Sequence, residues 1–77
     1  MLQQQVPIRQ AVADAVELVN ANAGSATVHL HFRGEPGFDF IANSARFAGD
    51  DFEFSCGFET FSGSVAEIDD IRAEVIH

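Results

Sequence analysis

At Gly24 the apolar residues change their spacing. Before it, Ile8, Ala11, Val12, Ala15, Val16, Val19 and Ala23 recur at three- and four-residue intervals, the period that places them on one stripe of a helix. After it, Ala26, Val28, Leu30 and Phe32 alternate with Thr27, His29, His31 and Arg33, the period of a strand with one buried face. A chain that reads once as helix and then repeatedly as strand belongs to the α+β class, because each amphipathic element must cover another.

The helix is expected over residues 7–23. Pro7 suits the first turn, where its missing N–H would have no partner, and Gly24 suits the left-handed position after the last turn. The first strand ends at Gly34, Pro36 and Gly37. Further strands follow in Phe38-Asp39-Phe40-Ile41, in Ala45-Arg46-Phe47-Ala48 and in Asp51-Phe52-Glu53-Phe54-Ser55-Cys56.

Each hairpin has a register that keeps its apolar residues on one side. A two-residue loop at Gly49-Asp50 sets Phe47 opposite Phe52 and Arg46 opposite Glu53. A turn at Ala42-Asn43 sets Phe40 opposite Ala45 and Asp39 opposite Arg46. A longer loop over residues 33–37 sets Phe32 opposite Phe38 and His31 opposite Asp39. Together these predict one face of phenylalanines, to be covered by the helix, and a polar row of His31, Asp39, Arg46 and Glu53 on the other.

Residues 57–63 read as a loop. Ser64 and Glu67 have capping-box spacing, and Ile71-Arg72-Ala73-Glu74-Val75 alternates, so a short helical turn over 64–69 and a last strand over 71–76 are expected. A C-terminal helix through Glu74 is the alternative, since Ile68 and Ile71 also fit a helical period. The expected fold is one α+β domain over residues 1–77: an N-terminal amphipathic helix packed on one face of a four- to five-stranded antiparallel β-meander.

At 77 residues the chain is close to the lower limit for a core without disulfides or a structural metal. Its hydrophobic content of 47% and eight Phe, with neither Trp nor Tyr, argue for a dry core rather than disorder. Cys56 is the lone cysteine, which excludes an intramolecular disulfide and fits a reducing, cytoplasmic setting. Met-Leu-Gln-Gln-Gln at the start lacks the basic and apolar regions of a signal peptide, and no stretch has the length of a membrane span.

The formal charge of -8 is unevenly placed. Asp50, Asp51, Glu53, Glu59, Glu67, Asp69, Asp70 and Glu74 face a single base, Arg72, in residues 50–77, whereas the rest of the chain is almost neutral. A one-signed surface repels nucleic acid and membrane phosphates and attracts basic proteins.

His29 and His31 share a strand face, as two ligands of a zinc site would, but a third ligand is lacking. Cys56 has Phe and acids for neighbours, which raise a thiol pKa and suit a buried structural cysteine. No nucleophile elbow, phosphate cradle or calcium loop is present. Asp50-Asp51 and Asp69-Asp70 read as turns or solvated ends. The expectation is therefore no catalytic residue, no metal and no cofactor.

The expected function is that of a small acidic, non-enzymatic interaction protein of a phage or bacterium. Glu67, Asp69, Asp70 and Glu74 would meet a basic protein surface, as an anti-CRISPR or anti-restriction inhibitor of a nucleic-acid-binding protein would. One alternative is a homo-oligomeric structural subunit of a virion or compartment, assembled through a sheet edge at the strand 26–33 or at the last strand. A second is a metal-binding module built on His29 and His31.

Overall fold

Helix α1 (Ile8–Ala21) is followed by β1 (Ala26–Phe32), β2 (Phe38–Ala42), β3 (Ser44–Ala48), β4 (Asp51–Cys56), β5 (Glu59–Ser64), a 3-10 turn (Val65–Glu67) and β6 (Ile68–Val75). These elements are seen in a computed structural model that describes residues 7–76. The expectation that Met-Leu-Gln-Gln-Gln is no signal peptide falls on residues outside those described.

The α+β class holds, but in place of the single meander the described residues form six strands in two antiparallel sheets, ordered β2-β1-β6 and β3-β4-β5. The chain leaves the first sheet through Asn43, whose N–H donates to the Ser55 carbonyl at 2.7 Å. It returns through the 3-10 turn. Because β2 and β3 lie in different sheets, Phe40 does not face Ala45, nor Asp39 Arg46. The pairing of Phe47 with Phe52 and Arg46 with Glu53 is as expected.

Between β1 and β2 the register is displaced by two residues, with His29 opposite Asp39 and Leu30 opposite Phe38. A shift of two keeps every side chain on its own face, so periodicity alone is blind to it. The expected loop at 57–63 is instead β5, which pairs with β4 from Cys56 and Glu59 to Asp51 and Ser64. Its short polar residues concealed it.

The phenylalanine face is covered by a second sheet carrying its own phenylalanines. Phe32 stacks on Phe52 at 6.4 Å between ring centroids, Phe40 meets Phe54 edge-on at 5.8 Å, and Phe61 contacts Phe38 at 5.2 Å and Phe40 at 4.6 Å. Offset and tilted rings at these distances favour the pairing beyond the area they bury. Gly63 permits the close approach, since a Cβ there would stand 2.8 Å from the Phe32 ring and 3.1 Å from that of Phe52.

The helix occupies the flank. It packs chiefly against β6 and β3, the outer strand of each sheet on that side, and buries Val12, Ala15 and Val19. Its stripe thus closes the side of a sandwich instead of capping a sheet face. Arg9, at its start, donates to the Gly49 carbonyl at 2.6 Å, pairs with Asp50 and lies over the Phe47 ring.

The last segment follows the expected turn and strand. Ser64 caps the turn, and Glu67 returns the interaction by accepting from the Ser64 N–H at 2.8 Å. In β6 the register with β1 shifts between His31, opposite Asp70, and Phe32, opposite Ile68. The extra residue, Asp69, forms a bulge. It lets Ile68 and Ile71 both point inward, where each is 2% exposed.

Candidate interaction surface

The strand β1 lies between β2 and β6, so its outward side chains sit between two neighbouring rows. His29 stands directly opposite Asp39 on one side and Arg72 on the other, while His31 faces Asp70. The imidazole of His29 bridges two strands. Its Nδ1 lies 2.6 Å from Asp39 Oδ1 and its Nε2 2.8 Å from Glu74 Oε1. Hydrogen bonding to Glu74 and then to Asp39 raises the His29 pKa above its ordinary value, against smaller opposing effects of burial and of Arg72.

This geometry replaces the expected row of His31, Asp39, Arg46 and Glu53. Asp39 belongs to His29, and Arg46 meets Glu53 at 3.0 Å on the other sheet. Spacing had marked both histidines as outward-facing; which of them met a carboxylate depended on the β1–β2 register. A metal ion at His29 would have to displace a carboxylate from either nitrogen, and among the described residues no group of three or more His, Cys, Asp or Glu is placed to hold one.

The four acids singled out from the sequence have different surroundings. Glu67 is turned back onto its own turn by the capping box. Asp69, on the bulge, accepts from Arg33 Nε at 3.3 Å. Asp70 stands opposite His31, and Glu74 holds His29. All four are exposed.

Asp69 and Asp70 also line a groove between α1 and β6, together with Asp14 from the helix. The walls are apolar, with Ile8, Ala11 and Leu18 on the helix side and Ile71 on the strand side, where Arg72 adds one base. Sequence reasoning did not single out Asp14, since it lies far from the acidic third of the chain and reads as the solvent face of a helix. Only the packing of α1 along β6 brings it onto the same groove as Asp69 and Asp70.

The strand 26–33, expected to offer a sheet edge, is the central strand of its sheet, which leaves β6 and β2 as the outer strands there. Of the four arginines, Arg9, Arg33 and Arg46 are paired with Asp50, Asp69 and Glu53. No helix among the described residues is long and apolar enough to cross a membrane. No family model matches the chain, and neither a curated protein nor a solved structure matches it.

Proposed function

We infer that this protein is a non-enzymatic binder of a basic protein surface, and that the groove between α1 and β6 receives it. The observation that carries this reading is the combination of apolar walls with the carboxylates Asp14, Asp69 and Asp70 on one groove, where they outnumber the single base Arg72. Lys and Arg side chains have the matching form, an apolar stem with a charged head. The surplus of acid over base, twelve against four, draws such a partner in before contact, because the summed field of the protein steers encounter. An inhibitor that occupies the nucleic-acid site of a phage or bacterial protein is one molecule of this kind.

Glu67 is better read as a structural cap than as part of the surface, since its carboxylate is committed to the Ser64 N–H. The test therefore spares it. Affinity capture from host extract supplies the partner, and association is then timed for the parent and for a variant carrying Asp14→Asn, Asp69→Asn and Asp70→Asn. Slower association with a weaker salt dependence, and an unchanged melting curve, is the expected result. A variant that binds with the parent's rates at low and high salt would remove the groove from the interaction.

A further inference from the structure

The two ends of the sandwich differ in charge. Where α1 begins and β1 finishes, Arg9 meets Asp50 and Arg33 meets Asp69, with Asp51 at the start of β4 and Glu67 on the 3-10 turn nearby. At the other end the chain carries no acidic or basic residue over 18–28, 40–45, 54–58 or 75–76, and Glu59, which follows Phe58 and pairs with Cys56, stands at its border. These neutral segments converge: Gly24 N–H donates to the Ala42 carbonyl at 3.1 Å, Ile76 N–H to the Ser25 carbonyl at 2.8 Å and Asn43 N–H to the Ser55 carbonyl at 2.7 Å.

The exposed large apolar residues among those described, Phe58, Ile41 and Ile76, all belong to this neutral end. Phe58 is the most exposed of them, at the tip of the β4–β5 hairpin. Cys56 pairs with Glu59, so Gly57 and Phe58 form a two-residue turn in which Gly57 supplies the positive φ of +76° and Phe58 needs none. Such a turn requires glycine at its first position but is indifferent to the second. Nothing in the hairpin calls for an aromatic ring there.

We propose that this neutral end is a self-association surface, through which a second copy docks about a two-fold axis with Phe58 as its anchor. Two copies of a chain with charge -8 repel each other wherever their acidic surfaces approach, and the neutral end, with Glu59 at its border, is the approach that brings few carboxylates together. Pairing neutral ends also holds the two charged ends as far apart as the molecules allow. A basic partner is drawn to the carboxylates elsewhere, and an anionic one finds no cation here. A two-fold contact uses the same patch on both copies and closes on itself, and exposed aromatic anchors dominate such contacts. This surface is distinct from the groove between α1 and β6, so either can stand without the other.

Sedimentation equilibrium of the full chain, from about 1 to about 500 micromolar, tests the proposal. A monomer–dimer equilibrium that tightens as salt rises is expected, because salt screens the remaining repulsion. Phe58→Ser and Ile76→Ser, each checked for an unaltered circular dichroism melt, should each raise the dimer dissociation constant, the former at least about tenfold. A monomer at every concentration and salt, a dimer that weakens with salt, or a dimer indifferent to Phe58→Ser would each overturn it.

Discussion

The side-chain amide of Asn20 pairs with both backbone groups of Ala45: its Nδ2 donates to the Ala45 carbonyl and its Oδ1 accepts from the Ala45 N–H, each at 3.0 Å. Ala45 lies on β3, whose only strand partner among the described residues is β4. The helix thereby does for β3 what another strand would do, satisfying a free edge that would otherwise invite pairing with another chain.

Replacing Asn20 by Ala should therefore destabilise the fold by about 1 to 3 kcal/mol, the cost of leaving partly buried backbone groups unpaired. Alanine's better helix propensity offsets only a few tenths of that. Urea denaturation reads the difference, and a midpoint equal to or above the parent's would show that water satisfies Ala45 as well as Asn20 does.

Gly63→Ala is expected to cost about 1 to 3 kcal/mol by overpacking, since the new methyl would press on the Phe32 ring and on Phe52. Trimming the obstruction should recover part of it. A double-mutant cycle with Phe32→Leu isolates the coupling; additive effects would mean that the two residues do not compete for the same space.

Phe52, 2% exposed, should cost about 3 to 5 kcal/mol when replaced by Ala, comparable to the whole stability that a core of this size supplies. Phe47 is half-buried, with Arg9 over its ring at 5.8 Å, and its replacement should cost only about 1 to 2 kcal/mol. Thermal melts of the two variants give the order. Equal losses would contradict the division of the phenylalanines between the sandwich interior and its flank.

The bridge at His29 makes stability depend on pH. Its folded-state pKa is raised above the unfolded value near 6.5, so its contribution is complete below that value and disappears as pH rises through the folded one. Asp39, Glu74, Arg72 and, one pair along, His31 and Asp70 are the ionisable groups around it. The contribution is small, because both carboxylates are largely exposed and solvent screens them. Melting temperatures from about pH 6 to about pH 9, above the carboxylate range, should decline for the parent and stay nearly level for His29→Gln. An equal decline in both would assign the pH dependence to other groups.

Local pattern carried far in this chain. The helix, the four strands from β1 to β4, the Gly49-Asp50 turn and the Ser64 cap each follow from a spacing or a residue type that acts within a few positions. β5 did not announce itself, because Thr60, Ser62 and Gly63 weaken the apolar alternation that marks a strand. The bulge at Asp69 gave Ile68 and Ile71 a helical spacing inside a strand, which is why the last third read two ways.

The amino-acid sequence by itself determined where apolar residues alternate, hence which side chains share a face, and it determined the excess of acid. Whether two apolar faces meet each other or a helix is a different matter. Burying Phe38, Phe40 and Phe61 against either would remove them from water alike, since the hydrophobic effect has no direction. Tertiary structure made that choice through Asn43, which passes the chain from one sheet to the other, and through Gly63, which admits the rings of Phe32 and Phe52. The same packing set Asp14 and Asp69 on one groove and gathered Ile41, Phe58 and Ile76 at one end, because contacts between residues far apart in the chain exist only once the elements are placed.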